Sequence, residues 1–288
     1  MIAGPAIPAA RYVDLHMHST ASDGAVPPRD LAIAAAAAGL TAIALTDHDT
    51  VDGVAEAREA GDERGVEVIA GVELSAFEDD RETHLLGLHL SDLVAIEASL
   101  ATFRSARRLR AERIVAVLND LGVPVTLDAV MAEAGTGAIG RPHIARALIA
   151  GGWARDSREA FDRYLGFRKP AFVPKHTLGL ADAIRLVHAA GGIAILAHPG
   201  GTGMRAWLET LAALGLDGVE VRHPGHSAED IARLGALSDH LDLVPSGGSD
   251  WHGATSGPRV LNVMRVPHEW LDRQRERVNL RAAHARVA

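Results

Sequence analysis

Nine side chains at or just beyond the ends of short apolar runs are the residues of this chain best suited to chemistry: His16, His18, Asp23, His48, Glu73, His84, His198, Asp250 and His252. Imidazole and carboxylate ligands without sulfur suit Mn, Fe or Zn. The set is too large for one tetrahedral site and fits two or three divalent ions sharing a carboxylate, with Glu73 the candidate bridge. Clustered ions lower the pKa of a bound water, hold a phosphate oxygen and stabilise a leaving oxygen. Metal-assisted hydrolysis is therefore the chemistry to expect.

His16 and His18 are two apart in Tyr12-Val-Asp-Leu-His-Met-His18. On a strand they share one face, with Val13, Leu15 and Met17 on the other. Asp14 shares the histidines' face and is placed to orient a ring. Asp23 sits in a Ser-Asp-Gly turn just after this strand, and turn chemistry alone also accounts for it. Asp47, His48 and Asp49 close the run that begins at Ala42, and Asp49 is also suited to capping the next helix. Glu73 closes Val66-Glu-Val-Ile-Ala-Gly-Val-Glu73. His84 and His89 lie on opposite faces of one strand; His84 is expected at the site and His89 packed or solvated. His198 follows Ile193-Ala-Ile-Leu-Ala, and Asp250 and His252 follow a Gly-Gly-Ser loop.

Bringing residues so far apart in sequence to one place calls for strands that all finish on the same rim, as in a β/α barrel. Strands are expected at 12–17, 42–46, 66–72, 83–90, 193–197, 218–222 and 241–245. Helices are expected between them, from Pro28 to Gly39 and over 51–64, 179–190, 205–214 and 227–239. Such alternation predicts a parallel sheet. The rhythm breaks from 93 to 175, where one long helix (92–121) and shorter ones at 127–134, 141–150 and 157–164 read as a small helical insert. The expected organisation is a barrel formed by 12–92 and 176–265, an insert at 93–175, and a charged helical tail at 266–288.

The chain has 288 residues, 48% of them hydrophobic, enough for a sizeable core. It has no cysteine, which removes disulfides, thiolate metal sites and a Cys nucleophile. The first ten residues lack a signal-peptide pattern and no run is long and apolar enough to span a membrane, so a cytoplasmic protein is expected. A net charge of -8 argues against duplex DNA as a partner. The charge is uneven, however: residues 98–175 hold 13 Lys+Arg against 7 Asp+Glu, so this segment is positive in an acidic protein. Most of those arginines read as solvated helix surface; the segment can also face an anionic substrate.

Taken in order, Asp14-Leu-His-Met-His18-Ser, Ser22-Asp-Gly, Thr46-Asp-His-Asp49, Gly71-Val-Glu73, Ala197-His-Pro and Gly248-Ser-Asp-Trp-His252 resemble the PHP (polymerase and histidinol phosphatase) superfamily over nearly the whole chain. The resemblance implies a distorted (β/α)7 barrel with a trinuclear centre. It places His16, His18, Glu73 and Asp250 on one ion, Glu73, His84 and His198 on a second, and Asp23, His48 and His252 on a third. Asp23, where many members have His, together with the insert, is similar to the subgroup of nucleotide phosphatases and short-RNA exonucleases. In that subgroup, segments like Gly140-Arg-Pro-His143 and Phe167-Arg-Lys-Pro170 approach the substrate from above the metals. Arg141, His143, Lys169 and His223 are accordingly candidates for substrate binding.

The expected activity is hydrolysis of nucleotide phosphate monoesters, foremost 3′,5′-bisphosphonucleosides, by a metal-activated hydroxide. Glu73, His198 and Asp250 stand at the reacting centre, and His198 or a metal-bound water is the candidate general acid. Two other readings are a 5′→3′ exonuclease on short RNA and an amidohydrolase-type C–N hydrolase. The second is disfavoured because the only lysines, Lys169 and Lys175, lie at the insert. A non-catalytic metal module is disfavoured because a ligand-type residue stands at every matched position. The expected partner is a small phosphorylated substrate, with oligomeric state left open.

Overall fold

The computed structural model describes residues 11–78, 81–135, 139–174 and 178–285. Lys175, one of the two lysines, lies outside them. Strands β1 (Tyr12–Met17), β2 (Ala42–Leu45), β3 (Glu67–Glu78), β4 (Arg81–Leu88), β5 (Leu178–Gly179), β6 (Ile193–Leu196), β7 (Gly218–Arg222), β8 (Val244–Gly247) and β9 (Val266–Pro267) form one sheet in the order β8-β7-β6-β4-β3-β2-β1-β9, with β5 beside β3. The sheet curls into a nearly closed barrel. Met17, at the end of β1, bridges to Trp251 just beyond β8. Seven of these strands have four or more residues.

The expected parallel alternation fails at one strand. β4 runs antiparallel to both β3 and β6. Glu78 pairs with Arg81, so only two residues separate β3 from β4, far fewer than a parallel crossover needs. The hairpin also carries β3 past the expected end at 72, so Glu73 lies within the strand. Reversal of β4 puts the start of that strand at the rim where the parallel strands end.

The interior of the barrel is layered along each strand. Val13 and Leu15, Ile69, Leu86 and Leu88, Ile193 and Ile195, and Val244 form one apolar cluster. Continuing toward the rim, the inward positions become polar: Glu73 on β3, His84 on β4, Glu220 on β7. β1 departs from strict alternation. Its register against β2 shifts between Asp14 and Met17, and Leu15 packs in the interior cluster while Met17 packs with the outer layer. The three apolar residues of β1 therefore do not share a face, because an irregularity of this kind re-aims the side chains beyond it.

The outer layer is made by α1 (Pro28–Ala37), α2 (Val54–Arg64), α7 (Leu180–Ala189), α8 (Arg205–Ala213) and α9 (Ala228–His240). Between β4 and β5 come α3 (Leu93–Asp120), α4 (Leu127–Ala134), α5 (Arg141–Ala150) and α6 (Ser157–Ala160), the last continuing as a π-helical turn over Phe161–Leu165. Asp92 caps α3 by accepting from the Ala95 N–H at 2.9 Å. The first part of α3 buries Ile96 and Leu100 against the barrel. Its later part buries Ile114, Val115 and Leu118 in a separate cluster with α4 to α6. α10 (His268–Ala285) closes the end of the barrel remote from the polar rim, with Leu271 in the interior cluster and buried Gln274 donating to the Pro245 carbonyl at 3.1 Å.

Candidate metal centre

Glu73 stands at the middle of the polar rim and is 1% exposed. Its Oε2 lies 3.2 Å from His16 Nε2, 3.1 Å from His18 Nε2 and 3.3 Å from His48 Nδ1. Its Oε1 lies 2.8 Å from His84 Nδ1 and 3.1 Å from His198 Nε2. The two oxygens thus face two different groups of imidazoles, which is what a bridging carboxylate requires. Asp250 Oδ1 lies 3.5 Å from His16 Nε2 and 3.2 Å from His18 Nε2. Asp23 meets His252 Nε2 at 3.3 Å, His18 Nδ1 at 3.7 Å and His48 Nε2 at 3.8 Å. All nine sequence candidates converge on this one region. Ligand atoms come within 4.8 Å of one another in three groups: His16, His18 and Asp250; His16, Glu73 and His198; and His18, Asp23, His48 and His252.

Local structure explains the convergence. Asp47, 1% exposed, accepts from Ser19 N and Ser19 Oγ, both at 2.7 Å, and from Ser22 Oγ at 2.6 Å, and so holds the turn that carries Asp23. Glu73 N donates to Asp47 O and Asp49 N to Glu73 O, both at 3.1 Å, which seats His48 beside the carboxylate. Gly248 admits β1: a Cβ there would sit 2.5 Å from the His16 backbone nitrogen. His198 (φ 29°) and Asp250 (φ 51°) both have left-handed backbones, a conformation that costs about 1–2 kcal/mol in a residue with a Cβ and is held by the surrounding packing.

Two sequence readings need correction. Asp14 does not orient an imidazole; its Oδ1 accepts from Ser249 N at 2.9 Å and steadies the loop that bears Asp250. Burial pushes the Asp14 carboxyl up to about 6 against the lowering effect of that bond. Asp49 does not cap α2, whose N-cap is Gly53; it ion-pairs instead with Arg107.

The residue that does orient a ring is Glu220, fully buried on β7. Its Oε1 lies 3.1 Å from His16 Nδ1 and its Oε2 accepts from His198 N at 2.7 Å. With Nδ1–H donated to Glu220, His16 presents the lone pair of Nε2 to the centre. The available signal was a lone glutamate inside the apolar run Gly218-Val-Glu-Val. Arg259, in a Gly- and Pro-containing loop with no strand pattern, was also missed; it donates to Asp250 Oδ2.

The donor chemistry fits divalent cations. Both ring nitrogens of His18 are buried, and although Nε2 lies close to Glu73 and Asp250, neither nitrogen has a partner aligned for a hydrogen bond among the described residues. A buried imidazole in that state among carboxylates lacks only a shared cation. Burial works against charge on Glu73, yet His16 and His48 hold its carboxyl well below the usual range. Burial likewise opposes protonation of His18, but Asp250 and Glu73 raise it to about 9. His48 goes the other way, lowered to about 4, chiefly by burial.

A cavity of about 270 Å³ opens from this centre toward the helical segment. Asp23, His48 and His84 line its floor, and Arg107, Arg110, Arg141 and His143 its far side. Arg107 donates to Ser75 Oγ at 3.1 Å, Arg110 to Val173 O at 2.8 Å and Arg141 to Leu165 O at 3.2 Å. Arg141 also lies over the rings of Phe161 and Phe172, with centroids at 5.6 and 5.9 Å. Burial, with Arg141 and Arg107 nearby, lowers Arg110 to about 10. Arg107 is already paired with Asp49, so an anion would chiefly relieve Arg110 and Arg141. Arg107 and Arg110 belong to a run that reads as solvated surface in sequence; their spacing of three on one helix was the available signal.

The other candidates differ in placement, and of them His143 lines the cavity. His143 Nδ1 accepts from Gly140 N at 2.9 Å at the start of α5, and burial lowers its pKa. His223 is 4% exposed: its Nδ1 accepts from Gly225 N at 3.0 Å, so its Nε2–H points to Asp250 Oδ2 at 3.4 Å, against the ligand set rather than in the cavity. Lys169 is exposed and does not line the cavity. His89 sits just past the inner end of β4, on the opposite side of the barrel from the centre, with Nε2 3.3 Å from Gln274 Oε1.

Comparison with known proteins agrees with this geometry. The PHP domain family matches residues 14–119. A 5′-3′ exoribonuclease of Haemophilus influenzae is 39% identical over 245 residues, 83% of this chain and 89% of that protein. A 3′,5′-nucleoside bisphosphate phosphatase of Chromobacterium violaceum is 36% identical over 254 residues, 86% of this chain and 89% of that protein. Among solved structures, a candidate metal-dependent phosphoesterase from Bifidobacterium adolescentis superposes with a TM-score of 0.78 at 34% identity, over 94% of this chain and 98% of that one. With relatives this similar along nearly their full length, and with a polar rim built for cations, the chain belongs to the PHP family and is a metal-dependent phosphoesterase.

Proposed function

We propose that the protein hydrolyses the 3′-phosphate of 3′,5′-bisphosphonucleosides, with two or three Mn, Fe or Zn ions. The observation that carries this reading is the cavity itself, which joins the ligand set to three arginines. A substrate with two phosphates fits a site with two separate cationic regions, one made by the ions and one by Arg107, Arg110 and Arg141. The similar bisphosphate phosphatase supports the same substrate class. We take the helical segment 93–175 as the unit that supplies the second region, and 12–92 with 176–265 as the catalytic barrel.

In this reading His16, His18, Glu73 and Asp250 hold one ion, Glu73, His84 and His198 a second, and Asp23, His48 and His252 a third. Bound ions would supply a nucleophilic water at neutral pH and charge neutralisation for the phosphate. Glu220 keeps His16 in the tautomer that offers Nε2. Asp14 and Asp47 fix the two loops that bring Asp250 and Asp23 inward. Arg107, Arg110 and Arg141 grip the 5′-phosphate and hold the 3′-phosphate over Glu73. With His198 engaged as a ligand in this reading, the proton for the departing 3′-oxygen would come from water rather than from an imidazole.

Cleavage of short 5′-phosphorylated RNA from its 5′ end is a second reading. It uses the same phosphorus–O3′ bond and the same 5′-phosphate grip, and the similar exoribonuclease favours it. The test is product release by Mn-loaded enzyme from 3′-phosphoadenosine 5′-phosphate, adenosine 5′-phosphate, histidinol phosphate and a 5′-phosphorylated dinucleotide. Preference for the bisphosphate or dinucleotide is expected. Equal turnover of all four refutes the two-region reading.

A further inference from the structure

The helical segment has a core of its own, so its place over the barrel must be set by the chain that joins the two. Apolar packing holds α3 toward its two ends. Ile96 and Leu100 lie in the outer core of the barrel, and Ala111, Ile114 and Val115 in the core of the segment. No residue between Leu100 and Ala111 is buried, yet this stretch carries Arg107 and Arg110 to the cavity. Its hold on the barrel there is largely polar, and two side chains outside the cavity contribute to it. Arg104 donates through Nη1 to the Asp49 carbonyl at 2.9 Å and through Nη2 to Glu97. Glu97 Oε2 in turn accepts from Val51 N–H at 3.3 Å. Glu97, Leu100, Arg104 and Arg107 recur every three or four residues, so they share one face of α3. That face meets residues 49–51, which follow His48, and Ser75 on β3. The loop is fixed from the barrel side as well, because Asp49 N donates to Glu73 O at 3.1 Å. It is therefore the stationary end of the contact and the helix is the adjustable one.

We infer that Glu97 and Arg104 are positioning residues that set the separation between the arginine region and the metal centre, and with it the preference for a substrate carrying a second phosphate. The inference rests on the reading that the arginine region holds the 5′-phosphate while the 3′-phosphate lies at the metal rim. Neither side chain lines the cavity; each acts through α3 on Arg107 and Arg110. A half-exposed ion pair adds little to stability. Its value here is directional: the planar guanidinium fork of Arg104 fixes the helix to a backbone carbonyl, and Glu97 fixes it to a backbone N–H. A substrate that must reach both regions at once is sensitive to the distance between them, because a charge-assisted hydrogen bond weakens steeply when its partners shift. A nucleoside 3′-phosphate has no second anion and is indifferent to that distance.

The test measures kcat and KM of the Mn-loaded enzyme for 3′-phosphoadenosine 5′-phosphate and for adenosine 3′-phosphate, in wild type, Glu97→Gln and Arg104→Gln. The two variants change the local charge in opposite directions but break the same strut. Both are expected to raise KM for the bisphosphate by about tenfold and to leave adenosine 3′-phosphate at its wild-type values. The double variant is expected to lose no more than either single one, since the second substitution has nothing left to break. Arg104→Lys keeps the charge but not the two-pronged contact, so it too is expected to raise KM, and it carries the test if a glutamine variant folds poorly. A KM that rises in one glutamine variant and falls in the other shows that charge alone acts and overturns the strut. So does an equal loss on both substrates, which assigns the pair to the fold as a whole. Wild-type preference retained in every variant overturns the strut and leaves the two-region reading standing. A wild-type enzyme with no preference for the bisphosphate overturns both.

Discussion

Replacing Glu220 by Gln tests whether the metal centre depends on a residue that is not itself a ligand. The side chain is fully buried and accepts two hydrogen bonds, from His16 Nδ1–H at 3.1 Å and from His198 N–H at 2.7 Å. Glutamine keeps the shape but has one acceptor oxygen. Its amide group must face one of these donors, leaving a buried N–H unsatisfied at a cost of about 1–3 kcal/mol. The effect on ligation gives a second estimate. Loss of a carboxylate that orients a metal-bound histidine costs about 10–100-fold in metal affinity, or roughly 1.4–2.7 kcal/mol. The first cost falls on the fold and the second on the ion, so Glu220→Gln is expected to weaken Mn binding by about 10–100-fold. The assay is metal content per chain after dialysis against graded free Mn, with circular dichroism to confirm the fold and kcat measured at saturating metal. A folded Glu220→Gln protein with wild-type metal affinity would show that His16 needs no such partner and that the orientation argument is wrong.

Arg110→Ala is expected to raise KM for a 3′,5′-bisphosphonucleoside by about 10–100-fold, the value of one charge-assisted contact, while affecting a nucleoside 3′-phosphate less; equal losses on both would refute the second-anion role. Chelation by EDTA should abolish activity and lower the melting temperature. Restoring free Mn to about 1,000 times its Kd should add back about 4 kcal/mol of stability, and an unchanged melting temperature would mean that the rim does not bind ions. His89 makes the fold sensitive to acid. Burial, partly offset by its bond to Gln274, lowers its pKa from 6.5 to about 4. It is neutral in both states above the unfolded value, so stability is complete there and falls with pH between 6.5 and 4 as the unfolded chain alone takes up a proton. At pH 5 the loss is about 2 kcal/mol, so urea denaturation of His89→Asn should show a pH 7 to 5 decline smaller by about that amount. An identical decline in wild type and variant would place the titration elsewhere.

The convergent set of imidazoles and carboxylates was legible in sequence because each member stands at a fixed point of a local pattern. A strand rising out of an apolar interior exposes its next inward residue at the rim, and an ion needs imidazole or carboxylate there. His16, His48, Glu73, His198 and Asp250 can be found by that rule without knowing their neighbours. What local pattern cannot carry is direction and partnership. The hairpin at Glu78–Arg81 reversed β4, and this reversal, not the face of the strand, sends His84 to the metal rim and His89 to the α10 end. The register shift in β1 altered which apolar residues face inward. Asp14 and Asp49 are bonded to Ser249 and Arg107, residues far away in sequence. Glu220 and the arginines of α3 acquire their roles only through contacts that form when the barrel curls and the helical segment packs over it. Sequence alone determined which chemistry the chain carries, because ligand type and strand period are local properties. Tertiary structure decided which groups hydrogen-bond to the imidazoles and which cations line the cavity beside them, because hydrogen bonds and charge pairs depend on distances that only the closed barrel sets.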